Sequence, residues 1–154
     1  MPHIHEQIDY TVEVYIVHQN KILLRKHDKY GIWLSIGGHI ELDEDPNQAA
    51  VREVKEEVGL QIKLDDRLRA LNPQEENYLE LIPPYFLNRH RINETHEHIC
   101  LTYFARSESN QIVNEGRESS PDIRWFSAEE LASFSELTEH VRHYAEAALH
   151  ALKS

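Results

Sequence analysis

The chain has 154 residues, enough for one domain with its own core and too few for two ordinary ones. Sixteen Lys and Arg against 27 Asp and Glu give a net charge of −11, which disfavours general nucleic-acid binding and attachment to acidic membranes. Cys100 is the single cysteine, so an intrachain disulfide and a multi-cysteine zinc site are excluded and a reducing compartment is expected.

In chain order, Tyr10–Val17 alternates and is rich in β-branched residues, His18-Gln19-Asn20 reads as a turn, and Lys21–Lys26 returns as a second strand. His27–Gly31 is turn-like, and Trp33–Ile40 is strand-like with a break expected at Gly37-Gly38. Asp45-Pro46 carries helix-start chemistry, an N-cap acid before proline at the first helical position, and Asn47–Val58 reads as a helix closed by Gly59. Gln61–Leu68 is expected as a strand. The long stretch Arg69–Arg91 is expected as a functional loop with a short strand at Leu79–Ile82. Glu97–Ala105 and Asp122–Phe126 complete the strands, and Ala128–Phe134 and Leu137–Leu152 the helices. Strands joined by hairpins and interleaved with helices predict a mixed sheet with helices on its faces. No stretch is apolar for long enough to span a bilayer and Met1–Tyr10 lacks a secretory pattern, so a cytoplasmic location without membrane attachment is expected.

The chemistry concentrates in Gly38–Leu60, GHIELDEDPNQAAVREVKEEVGL. On a wheel of 100° per residue with Glu53 at zero, Glu56 falls near −60° and Glu57 near +40°. Ala50, Val54, Val58 and Val51 occupy about +60° to +160°. One face therefore packs and the next is triply acidic. Like charges at i,i+3 and i,i+4 cost a few tenths of a kcal/mol unless neutralised, and a group of hard oxygen donors beside a glycine turn suits Mg²⁺ or Mn²⁺. A solvated acidic helix face is the alternative from the helix alone.

The spacing narrows that choice. Gly38, five residues, Glu44, seven residues, then Arg52-Glu53-Val54-Lys55-Glu56-Glu57-Val58-Gly59-Leu60 resembles the signature box of the Nudix hydrolase family, with every specified position filled. The flanking hairpin, Glu97–Ala105 and Arg124-Trp125-Phe126-Ser127 extend the resemblance over most of the chain, implying one Nudix domain over residues 1–154. The implied fold is of the α/β (α+β) class, an α/β/α sandwich around a mixed β-sheet. The implied activity is Mg²⁺- or Mn²⁺-dependent cleavage of a nucleoside diphosphate linked to another moiety, by water attack on phosphorus.

By the same resemblance, Glu53, Glu56 and Glu57 are metal ligands together with the Gly38 carbonyl. Arg52 and Glu44 form an orienting ion pair, and Glu53 or Glu56 serves as base, with Glu94, Glu97, Glu115 and Glu118 as distal candidates. Arg25 is a candidate phosphate contact and Tyr78 a candidate base-stacking residue; Tyr85 and Phe86 are alternatives to it or loop anchors. His96 and His98 point to one face of a strand like a metal pair, but with no Cys or third His nearby in sequence a second metal site is not expected. The partner is expected to be a small nucleotide, and a homodimer is an open alternative, since many such domains pair. Two rival functions remain. A catalytically inactive nucleotide-sensing domain should lack box carboxylates, and none is missing. An isoprenoid-diphosphate isomerase needs a catalytic cysteine, whereas Cys100 sits in an apolar strand.

Overall fold

Eight strands and three helices form among the residues that the computed structural model describes, 7–27, 31–72, 75–113 and 122–154. The first strand, β1 (Ile8–His18), turns into β2 (Lys21–Lys26) through Gln19 and Asn20, both at positive φ (46° and 62°). That pair of left-handed residues is what a two-residue hairpin of type I′ demands. β3 (Trp33–Leu34) and β4 (Ile36–His39) follow, then helix α1 (Pro46–Val58) and β5 (Ile62–Leu64). β6 (Phe86–Asn93), β7 (His96–Ser107), β8 (Ile123–Ser127), α2 (Ala128–Ser133) and α3 (Glu139–Ala151) complete the order.

The sheet is mixed, as the sequence suggested. β1 lies parallel to β7 from Ile8↔Glu97 to Val17↔Arg106, and the other pairings are antiparallel. One edge of β1 is shared by β2 and β4, and one edge of β7 by β5 and β6. Alternation along β1 then builds two cores. Val12, Val14 and Ile16 pack with Ala50, Val54 and Val58 of α1, while Tyr15 and Val17 pack with Leu131 of α2 and Val141, Ala145 and Leu149 of α3. Helices thus cover both faces, giving the α/β/α sandwich.

Several local expectations are corrected. The break in Trp33–Ile40 falls at Ser35, and Gly37 and Gly38 lie inside β4. β5 stops at Leu64; the Asp65 amide still donates to the Phe104 carbonyl of β7 (2.8 Å), and its side chain is bonded to Arg67 and Tyr85. No strand forms at Leu79–Ile82: the Ile82 amide donates to Asn47 Oδ1 (2.8 Å) and its carbonyl accepts from Asn47 Nδ2 (3.1 Å), so α1 satisfies this backbone in place of a neighbouring strand. Instead Phe86–Asn93 forms β6, which begins inside the stretch expected as loop and ends just past it. On α1, Val51 is 41% exposed while Ala49 is buried, which rotates the packed face toward Glu53. Most of the His27–Gly31 turn falls outside the described residues.

Candidate active site

The acidic box is held in place from both ends of α1. Asp45 accepts from the Gln48 amide while Gln48 returns a bond to the Asp45 amide (both 2.9 Å), a complete capping box. Gly59 closes the helix at φ +70°, and a Cβ there would also lie 2.8 Å from Val113. Gly38 has a different role: a Cβ on it would meet the Glu53 carboxylate at 2.4 Å. Only a glycine lets β4 run this close to that side chain.

Glu53 is 8% exposed, an acid brought into the packed layer between α1 and β4. Arg52 compensates it. Its Nη1 donates to Glu53 Oε1 (2.9 Å) and Glu56 Oε2 (3.2 Å), its Nε and Nη2 fork onto Glu44 (2.9 and 2.6 Å), and Nη2 also reaches the His39 carbonyl (3.0 Å). One guanidinium thus ties the 39–44 loop to two of the three helix glutamates, using the fork geometry particular to arginine. The Arg52 hydrogen bonds hold the Glu44 carboxyl below the ordinary glutamate range, and Glu44 in turn raises the basicity of Arg52. The third glutamate, Glu57, lies 3.5 Å from Arg25 Nη2. Arg25 therefore reaches the acidic face from β2 across the sheet.

The exposed side of α1, including Val51, Arg52 and Glu56, lines a cleft of about 910 Å³ with Leu64, Arg69 and residues 79–82. Tyr78 is not among its lining residues; half exposed, it donates its hydroxyl to Glu80. Tyr85 and Phe86 have their ring faces occupied, stacked on Phe104 (4.0 Å) and Tyr144 (4.2 Å), which makes them anchors of the α3-side core. Glu97 pairs with Arg89 at 3.5 Å and Glu94 is exposed in the β6–β7 turn. Glu115 and Glu118 lie outside the described residues. Cys100 is buried, and burial pushes its thiol up to about 12. A thiol that stays protonated does not serve as the catalytic group of an isomerase.

Could the box residues hold a divalent cation? Glu53, Glu56, Glu57 and the Gly38 carbonyl offer oxygen donors only, the set hard cations prefer. Gly38 leaves no side chain between strand and carboxylate. The residues fit such an ion.

A family model described as the NUDIX domain matches residues 9–148. The chain belongs to the Nudix hydrolase family. A Nudix hydrolase from Clostridium perfringens superposes with a TM-score of 0.81 at 33% identity, covering 94% of this chain and 98% of its own. Dihydroneopterin triphosphate diphosphatase of Haemophilus influenzae is 31% identical over 118 residues, 76% of this chain and 72% of that protein. CTP pyrophosphohydrolase of Escherichia coli is 28% identical over 106 residues, 66% and 78% of the two chains. This Nudix protein is accordingly a hydrolase acting on phosphoric anhydrides, in a family that generally uses divalent metals. Among the described residues, no helix is long and apolar enough to cross a membrane.

Two features of the site region escape sequence reasoning. Glu13 faces the opposite side of the sheet, accepting from Thr102 Oγ1 (2.7 Å) and Ser35 Oγ (3.1 Å). Burial raises its carboxyl above the ordinary glutamate value despite these bonds. A charged residue inside an otherwise apolar strand, Val12 to Val17, was the available signal. The second is a cluster of histidines from β4 and β7 around Asp9 of β1, brought together from positions distant in sequence.

Proposed function

We propose that this Nudix hydrolase is a Mg²⁺- or Mn²⁺-dependent pyrophosphohydrolase, folded as one domain, that cleaves a nucleoside diphosphate linked to another moiety by water attack on phosphorus. The observation that carries the reading is the Arg52 network, which links Glu53 and Glu56 to Glu44 and to the end of β4 while Arg25 approaches Glu57.

Glu53, Glu56, Glu57 and the Gly38 carbonyl would hold the ion. When bound, it supplies neutralisation of the diphosphate charge and polarisation of its P–O bonds. Arg52 and Glu44 keep the glutamates oriented, which is where much of phosphoryl-transfer catalysis resides. Glu53 or Glu56 accepts the proton of the attacking water as its oxygen bonds to phosphorus. The anhydride P–O bond breaks, and both products leave as phosphate esters or phosphates. Arg25 meets phosphate oxygens at the rim of the acidic face, a cationic contact that a chain of net charge −11 must provide locally. Tyr78 provides an exposed ring for base stacking from the 75–80 turn.

The names of the two curated relatives put dihydroneopterin triphosphate and CTP first in a substrate panel, followed by nucleotide sugars, ADP-ribose and dinucleoside polyphosphates. Turnover with Mg²⁺ in ¹⁸O-water is expected to place label in a phosphate product and to leave simple phosphomonoesters intact. Release of phosphate from monoesters alone would overturn the reaction class. Binding of a panel member without turnover would establish the sensing alternative instead.

A further inference from the structure

On the face of the sheet opposite α1, two strands, β4 and β7, deliver histidines to one buried carboxylate on β1. Asp9 of β1 is 3% exposed and stands in register beside His98 of β7. His39 of β4 is in register with Thr11, one alternation along the same face of β1. His39 Nε2 lies 3.3 Å from Asp9 Oδ2, and His96 Nε2 lies 3.1 Å from the same oxygen. Ligating atoms of Asp9, His39 and His98 all fall within 4.8 Å of one another, and the His39 and His98 rings meet edge to face at 5.0 Å.

These separations are compatible with ligation of a common ion. A charge-assisted N–H···O bond closes to about 2.7–2.9 Å. Donors placed tetrahedrally at about 2.0–2.1 Å from a common Zn²⁺ stand about 3.3–3.4 Å apart. The 3.3 Å separation of His39 from Asp9 matches that ligand-to-ligand spacing. Burial makes the same demand, because a carboxylate this enclosed needs compensating positive charge.

We infer that Asp9, His39 and His98 form a binding site for a divalent transition-metal ion of the Zn²⁺ class, separate from the acidic face of α1. His96 is its positioning residue, holding Asp9 through Oδ2 as outer partners of ligating carboxylates do. The donor chemistry separates the two sites. Two imidazoles and one carboxylate suit Zn²⁺ or Co²⁺, whereas the all-oxygen set at Glu53, Glu56 and Glu57 suits Mg²⁺. Strand alternation keeps them apart in space: Gly38 approaches Glu53 on one face of β4, and His39 turns its ring to the other. Three protein ligands leave a coordination position open, as in zinc sites that take a water or an anionic group.

The full chain, stripped with EDTA and dialysed against Zn²⁺ in the presence of excess Mg²⁺, is expected to retain one Zn²⁺ and to melt at higher temperature. Co²⁺ in its place is expected to give the intense visible absorption of a low-symmetry, four-coordinate site. Asp9→Asn preserves the shape of the side chain, and His98→Ala removes a ligand. Both should weaken Zn²⁺ binding by more than the about 10–100-fold that loss of an outer partner costs, and His96→Ala should weaken it by an amount within that range. Glu57→Gln should bind Zn²⁺ as the wild type does. Failure of the wild type to retain Zn²⁺, equal binding in a folded Asp9→Asn, or loss confined to Glu57→Gln would each overturn the site. Mg²⁺-supported turnover, measured in parallel, reports on the proposed hydrolysis and not on this inference.

Discussion

Glu53 of α1 and Glu13 of β1 lie against opposite faces of one sheet, the first on the α1 side and the second toward α3, and their surroundings differ in kind. Glu53 has a cation, Arg52, which it shares with Glu44 and Glu56. Glu13 has neutral hydroxyl donors, Ser35 and Thr102, and burial shifts it toward the protonated form. A carboxylate hydrogen-bonded to arginine, beside a strand glycine that leaves it room, is prepared for cations and phosphates. One that favours its proton is prepared for structure or for neutral recognition. Both carboxylates are packed against the sheet; their partners distinguish them.

The contrast is sharpest in activity. Glu53→Gln keeps the volume and removes the charge, so kcat is expected to fall by about 10²–10⁴-fold, read with whichever panel compound is turned over, whereas Glu13→Gln should leave the Mg²⁺ dependence of turnover unchanged. Equal losses in both variants would break the comparison. Gly38→Ala comes next. Its new Cβ must displace the Glu53 carboxylate, and a misplacement on the order of 1 Å is expected to lower kcat about 10²-fold with the helix intact by circular dichroism.

Arg52→Ala strands Glu53 and frees the 39–44 loop, for an expected loss of about 2 kcal/mol in urea unfolding, the scale of a hydrogen bond to a charged group. The pH dependence carries the sign. Because Arg52 depresses the Glu44 carboxyl, the pair's contribution is present above the unfolded glutamate value and is lost as pH falls through the lower folded value. Glu44→Gln should flatten that acid limb. Glu13 behaves oppositely. Its folded value is raised, so the folded state holds the proton more tightly, and stability declines as pH rises from the unfolded value through the folded one. Glu13→Gln should therefore be the more stable protein at neutral pH, with the advantage vanishing in acid; chemical unfolding across pH checks this. A wild type and variant that run parallel at every pH would mean that Glu13 is not held toward its neutral form.

Local chemistry made α1 readable to within a residue, because Asp45, Pro46 and Gly59 write its ends into the sequence and the glutamate spacing writes its acidic side. The β1–β2 hairpin was equally plain. β6 was hidden by its own solvent exposure: Phe86–Asn93 presents asparagine, arginine and histidine outward and lacks the apolar alternation that marks a half-buried strand. The role of Asn47 as a backbone partner for Ile82, 35 residues away, has no local signature. The Asp9 cluster is the extreme case. His96 and His98 were visible as a pair, but the third histidine and the carboxylate arrive through the parallel β1–β7 and antiparallel β1–β4 registers. Only the fold brings those positions together. On α1 the expected unneutralised acidic face is instead crossed by Arg52 and Arg25, cations from the helix itself and from β2.

The central claim, that the acidic face of α1 is where a hard divalent cation supports anhydride cleavage, is tested most directly by thermal melts of the wild type and Glu57→Gln in EDTA and in Mg²⁺, alongside turnover. Binding to the folded state alone raises the melting temperature by mass action. A clear Mg²⁺ shift is expected in the wild type, a smaller one in Glu57→Gln together with a large loss of kcat, and an undiminished one in His98→Ala. An unchanged Mg²⁺ shift with full activity in Glu57→Gln would contradict it.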